Sequence, residues 1–210
     1  MPLKDLFTRK KASPAKESDK EAASPMFDKY HDPEDDKIGP DGVMALCNDM
    51  QMEPTDVRLL VLAWQMRAES QGYFSRGEWQ HGIMMMGFDS VSSLVSCLTK
   101  LRDELFRSPR SQAFKDFYRF AFRYSRTPGQ KSLEIDTVKL LLPMVFPPSH
   151  PHVAKLLVFL EQTPAVRGLN EDQWVSFLLF SNEIQEDFAN FDPNDAWPSL
   201  LDDFVAHNQQ

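Results

Sequence analysis

Cysteine is nearly absent from this chain. Two in 210 residues, Cys47 and Cys97, cannot make a disulfide framework or a four-ligand zinc site. They read as reduced thiols, which points to the cytoplasm and nucleus. Long apolar runs are also missing: nothing nears the roughly 20 residues of a membrane span. The first residues hold no apolar signal region, and Pro2 stands where a myristoylation signal needs glycine, so no membrane partner is expected. There is no phosphate-binding glycine loop, no HExxH and no GxSxG. Val, Ile and Thr alternate nowhere long enough to define a strand, and no internal repeat with a clear period is evident.

What is present is ordinary globular composition, 42% hydrophobic and 26% charged, with a net charge of −8. That charge argues against nucleic acid and for basic partners. It is also concentrated. From Glu161 to Gln210 ten acids meet a single base, Arg167, giving −9, while the other 160 residues carry +1. Composition alone leaves a solvated acidic face and a docking surface equally open.

Residues 1–25 are polar and charged and read as a disordered tail. Its Arg9-Lys10-Lys11 run is a weak import or anion-binding signal beside the plainer reading of a solubilising tail. The remainder reads as helix after helix. Expected helices are Asp41 to Met50, one opened by Pro54, Ser75/Glu78 (a capping box) to Met86, and Ser90 to Leu105. A fifth starts at Ser108-Pro109 and carries Phe114, Phe117, Tyr118, Phe120, Ala121, Phe122 and Tyr124, so most of its sides should be buried. Thr127-Pro128-Gly129 ends it. Ile135 to Val145, Ser149 to Gln162, an Asn170-capped helix and one opened by Pro198 follow. The fold class is therefore all-α, about nine helices, with room for two sublobes near the aromatic helix. Met84-Met85-Met86 reads as core filler.

Two loops have the spacing of worn EF-hands. Arg67 to Glu78 places Gly72 at position 6, Phe74 at 8 and Glu78 at 12, but a cation stands first. His31 to Gly42 aligns through Ile38 at position 8 and lacks the closing carboxylate. Helix-loop-helix architecture is expected without a metal or other cofactor. His150-Pro151-His152, the closest His pair, reads as exposed polar surface, and Cys47 as core rather than nucleophile.

Several segments then occur together in order: Asp36-Lys37-Ile38-Gly39-Pro40-Asp41-Gly42, Leu62-Ala63-Trp64, Phe74-Ser75-Arg76-Gly77-Glu78-Trp79, Phe114-Lys115-Asp116-Phe117-Tyr118, Pro128-Gly129-Gln130-Lys131-Ser132-Leu133, and Asp195-Ala196-Trp197-Pro198 through Asp202-Asp203-Phe204-Val205. From Met26 to His207 the chain resembles the defective-in-cullin-neddylation proteins and their potentiating-neddylation domain, placed at 26–207. The resemblance implies an all-helical fold with degenerate EF-hand-like pairs. It also implies a non-catalytic, scaffold-type ligase component that promotes cullin neddylation and so activates cullin-RING ubiquitin ligases. Partners implied are the cullin C-terminal winged-helix region and the N-terminally acetylated NEDD/RUB-conjugating enzyme. The RING subunit and the modifier are further candidates.

Two sites carry over by resemblance. Asp172, Ala196 and Asp202 match the family's cullin-binding patch. Pro40, Val43, Pro54, Leu59, Leu62, Gln71, Gly72, Phe74, Tyr124, Leu141 and Met144 match its pocket for the acetylated N-terminal peptide. Pro40 replaces a common aliphatic residue, Gly72 stands where some relatives carry Cys, and Leu141-Leu142-Pro143-Met144 departs from an aromatic-containing helix. Many members also carry a ubiquitin-associated domain before this one. The polar residues 1–25 cannot form it. Rival readings are a calcium-responsive or calcium-independent EF-hand-like adaptor, a transfer enzyme using Cys47 or Cys97, and a divergent member that binds cullin but is inactive or inhibitory.

Overall fold

Short loops between capped helices organise this chain twice over. The computed structural model describes residues 25–209. The expected tail over 1–25, Arg9-Lys10-Lys11 included, lies outside the described residues except for Pro25, which begins a helical turn at 25–30. The chain divides into two compact units between Leu105 and Phe106.

In the first unit, β1 (Lys37–Ile38) leads into α1 (Pro40–Met50), with Pro40 in the favoured first turn. Next comes α2 (Val57–Met66). Its cap is Asp56, whose carboxylate accepts from Arg58 N at 2.9 Å, so Pro54 precedes the helix instead of opening it. β2 (Phe74–Ser75) then leads into α3 (Arg76–Met86). The Ser75/Glu78 capping box is formed: Ser75 N donates to Glu78 Oε2 at 2.7 Å. α4 (Val91–Arg107) follows. The core holds Phe27, Ile38, Leu46, Val61, Leu62, Phe74 and Trp79. Trp79 meets Phe27 and Phe88 edge-on at 6.1 and 5.6 Å. Met84 is exposed, and Met85 and Met86 are only partly covered, so the methionine run is not core filler.

The second unit repeats the plan. Its aromatic helix is α5 (Gln112–Ser125), which begins after Ser111, not at Ser108-Pro109; Ser111 Oγ accepts from Phe114 N at 3.1 Å. β3 (Ser132–Glu134), α6 (Ile135–Val145) and α7 (Val153–Gln162) follow. Then come β4 (Gly168–Asn170), α8 (Glu171–Glu183) and α9 (Ser199–Asn208). Tyr118 stacks on Trp174 at 4.5 Å, and the Trp174 indole donates to the Tyr118 carbonyl at 3.0 Å. Each such buried aromatic contributes on the order of 2 kcal/mol. With nine named helices and four strands of two or three residues among the described residues, the protein is all-α.

The short strands reveal the organisation. β1 pairs antiparallel with β2, setting Ile38 opposite Phe74. β3 pairs with β4, setting Leu133 opposite Leu169. Both pairs join the eighth positions of two EF-hand-like loops. Moving 95 residues along the sequence carries Ile38 to Leu133, Phe74 to Leu169, Phe27 to Phe122 and Trp79 to Trp174. Phe122 meets Trp174 at 6.0 Å, as Phe27 meets Trp79 at 6.1 Å. The chain does contain an internal repeat, preserved at a few structural positions and lost between them. Among the described residues no single helix is long and apolar enough to cross a membrane.

Candidate functional site

The acidic residues singled out in the sequence lie in the second unit, on and after α8. Asn170 starts that helix through a reciprocal box: its Oδ1 accepts from Gln173 N at 2.8 Å, and Gln173 Oε1 accepts from Asn170 N at 3.0 Å. Glu171 and Asp172 follow in the first turn, where carboxylates meet the positive end of the helix dipole. Asp172 is exposed.

The segment after α8 is fastened at many points. His152 Nε2 donates to the Ile184 carbonyl at 3.0 Å. Asn190 accepts from Gln185 N at 2.7 Å and donates to the Glu183 carbonyl at 2.9 Å. Lys155 donates to the Glu186 carbonyl at 2.5 Å. Asp192 accepts twice from Asn194, which holds its carboxyl below the usual range. Exposed Ala196 comes next, then Trp197, whose ring meets Phe180 edge-on at 5.4 Å. Phe180 also meets Phe204 of α9 at 5.9 Å. Fully buried Phe180 thus gathers the Ala196 segment and the Asp202 helix around the last turns of α8. Asp172 stands eight residues earlier on that helix, about 12 Å along its axis. Asp202 is half-buried, and its Oδ1 is covered without a hydrogen-bond partner.

The positions assigned by resemblance to a peptide pocket divide between the units. Pro40, Pro54 and Gln71 are exposed, Val43, Leu59 and Gly72 are partly covered, and Leu62 and Phe74 belong to the first unit's core. In the second unit Tyr124 and Met144 are partly covered, and Leu141 is buried.

Residues 93–207 match the cullin-binding family, a span that contains Asp172, Ala196 and Asp202. DCN1-like protein 5 of Rattus norvegicus is 38% identical over 179 residues, covering 85% of this chain and 73% of that protein. The Homo sapiens DCN1-like protein 5 is 37% identical over the same length, with the same coverage. DCN1-like protein 4 of Danio rerio is 39% identical over 171 residues, 81% of this chain and 60% of that protein. The chain belongs to the DCN1-like, cullin-binding family.

Membership brings cullin binding and a role in neddylation at the level of the family. The closing carboxylate of the Arg67 to Glu78 loop of this DCN1-like chain is spent internally. Both Glu78 oxygens are used: Oε1 accepts from Glu69 N at 2.8 Å, and Oε2 from Ser75 N and Oγ at 2.7 and 2.8 Å. In the other loop the Arg76 guanidinium holds Asp36 at 2.7 Å and lowers its carboxyl pKa. Gly42 has no room for the missing carboxylate, since a Cβ there would sit 2.1 Å from the Tyr30 carbonyl.

The histidine pair is not exposed surface. His152 is 3% exposed, boxed by Phe180, Phe188 and Phe204. His150 stacks on Phe146 at 4.4 Å and its Nε2 lies 2.9 Å from Ser181 Oγ; burial drives its pKa down to about 4. The positioning role of His152, Phe180, Asn190 and Trp197 was not seen in the sequence. Only Trp197-Pro198, an aromatic placed directly before a helix start, carried a local signal.

Proposed function

We propose that this protein is a docking factor for cullin neddylation. Exposed Asp172 and Ala196 with Asp202 form the surface that takes the basic face of a cullin winged-helix region. The small side chain at 196 allows close approach, and the surrounding acids steer the encounter. A second surface recruits the acetylated N-terminus of a NEDD/RUB-conjugating enzyme. Holding both partners raises the effective concentration of the thioester near the acceptor lysine and restricts its orientation, with no covalent intermediate on this chain. Cys47 suits such a non-catalytic role: it is 1% exposed, and burial raises its thiol pKa. Reduced thiols fit action in the cytoplasm and nucleus.

The observation that carries this reading is the family match across 93–207, with Asp172 and Ala196 at the surface inside it. The test is reconstituted cullin neddylation with limiting conjugating enzyme. Wild type is compared with Ala196→Arg, Asp202→Asn and Cys47→Ser/Cys97→Ser. Ala196→Arg alters an exposed position, and Asp202→Asn removes charge at constant size. Stimulation that falls at least tenfold in Ala196→Arg, with weakened cullin binding and an unchanged melting temperature, is expected. The double serine variant should stimulate fully. Undiminished stimulation by Ala196→Arg would refute the cullin surface, and cullin binding without stimulation by wild type would favour an inhibitory member.

A further inference from the structure

The two units treat their acids differently. In the first, Asp28 and Asp36 hold Arg76, Asp49 holds Lys29 and Asp56 holds Arg58, at 2.5 to 2.9 Å. In the second, exposed Asp172, Asp195 and Asp203 and half-buried Asp202 form no ion pair among the described residues. Arg167 is the single base from Glu161 to Gln210, so these carboxylates have almost no cation of their own segment to turn to. The missing cations occur elsewhere in the chain. Residues 25–160 carry sixteen bases and seventeen acids, whereas residues 1–24 carry six bases and four acids. Within the latter, Arg9 to Lys16 holds four bases in eight residues and no acid. That run lies outside the described residues.

We propose that the run Arg9 to Lys16 docks on the chain's own acidic surface around Asp172, Ala196 and Asp202 and competes with cullin for it. This rests on the cullin reading of that surface. A surface that takes the basic face of a partner takes a basic segment of its own chain by the same chemistry. Sixteen residues separate Arg9 from Pro25, which is roughly 50 Å of fully extended backbone. A unit of about a hundred residues has a radius of gyration of about 13 Å, so the run is not confined to the first unit. Covalent attachment supplies an effective concentration on the order of millimolar, so a contact too weak to persist between separate molecules is populated within one. The contact is weak by nature, because charges at an exposed surface are screened beyond about 8 Å at physiological salt. A folded basic domain adds shape to charge and displaces the run. The segment therefore sets a threshold for cullin docking instead of blocking it.

The experiment uses the full chain and a cullin winged-helix fragment. Arg9→Gln/Lys10→Gln/Lys11→Gln should bind the fragment about threefold or more tighter than wild type at low salt, with the difference closing as salt rises. Lys37→Gln/Lys100→Gln/Lys131→Gln is the control: it removes the same charge at three exposed positions that form no ion pair among the described residues, and it should shift affinity much less. A carbodiimide, which joins a lysine amine directly to a carboxylate, should link Lys10, Lys11 or Lys16 to Asp172, Asp195, Asp202 or Asp203 within one chain. The cullin fragment should suppress those links. The proposal is overturned by absence of the links, by unchanged affinity in the tail variant, or by an equal gain in the control. Ala196→Arg is measured beside them. If it binds cullin as wild type does, the cullin reading fails and the competition falls with it. If it loses cullin binding while the tail variant behaves as wild type, the tail contact alone is refuted.

Discussion

Gly42 and Gly77 occupy helices of the same unit, and alanine should act on them with opposite sign. Alanine in place of a helical glycine gains roughly 0.5–1 kcal/mol of backbone entropy. At Gly77 nothing lies within 4 Å of the added Cβ, so that gain should be kept. At Gly42 the Cβ would stand 2.1 Å from the Tyr30 carbonyl oxygen, 3.2 Å from its carbon and 2.9 Å from Ile38 Cγ2. Backbone cannot rotate aside as a side chain can, so the turn at 25–30 must separate from α1. Overpacking of this kind costs about 1–3 kcal/mol, which exceeds the propensity gain. Separation also strains the contacts that Lys29 and Tyr30 make with Asp49, both at 2.5 Å. With about 2–4 °C per kcal/mol for a chain of this size, Gly42→Ala should melt several degrees below wild type and Gly77→Ala slightly above it. Trypsin should also cut after Lys29 faster in Gly42→Ala. A Gly42→Ala protein as stable as wild type would refute the close approach, and with it the steric reason this loop has no closing carboxylate.

Acid should destabilise the second unit before its carboxylates titrate. His150 has a folded pKa of about 4, held down by burial and by the neighbouring His152 and Arg110, so the unfolded chain takes the proton first. The stability it contributes, about 2–3 kcal/mol, is complete above pH ~6.5 and is lost as pH falls toward 4. Urea midpoints at pH 7.5 and 5 should show that slope, and His150→Phe should flatten it; an equal slope in the variant would contradict the assignment. Glu78→Ala removes the acceptor for Glu69 N and Ser75 N and should cost about 1–2 kcal/mol. Millimolar calcium should leave the wild-type melting temperature unchanged, and a clear calcium-dependent rise would show that the Glu78 carboxylate is free for metal after all. Arg123→Glu and Glu171→Arg should each lower the melting temperature by a degree or so, about 0.3–1 kcal/mol for an exposed pair, and the double variant should recover it. Purely additive losses would show that the pair is not coupled.

The helical class, most helix ends and the position-8 residues Ile38 and Phe74 of the first loop pair were legible in the sequence, although their strand pairing was not, because periodicity, capping boxes and loop glycines are local signals. Helix starts were misplaced where several capping residues crowd together. Near Pro54 the choice fell to Asp56, and near Ser108 to Ser111, because those side chains reach the amides two or three residues on. Burial of His150 and His152 was not legible, since Phe146, Phe180, Phe188 and Phe204 approach them only in three dimensions. The acidic surface was visible as a charge imbalance, and its individual residues came through resemblance. The residues that hold it in place were hidden, because packing around Phe180 leaves no periodic trace.

The repeat explains why the two halves present different surfaces on one frame. The 95-residue offset carries Asp28 to Arg123 and Arg76 to Glu171. In the first unit Arg76 pairs with Asp28 at 2.9 Å; in the second, Arg123 pairs with Glu171 at 2.7 Å. The ion pair occupies the same two positions with its charges exchanged. Changing one member alone would set like charges against each other, so the exchange preserves a tie between the helix that enters the first loop and the helix that leaves the second. Its sign is free to follow the surface around it. In the first unit the cation lies on the later helix, where Arg76 reaches both Asp28 and Asp36 and tethers a loop that carries no metal-binding glutamate. In the second unit the later helix receives the acid. Glu171 and Asp172 then sit at the positive end of α8, and the cation of the pair, Arg123, stands on α5. One reversal of sign in a duplicated frame thus places an acid, Glu171, beside Asp172 at the start of α8 in the second unit.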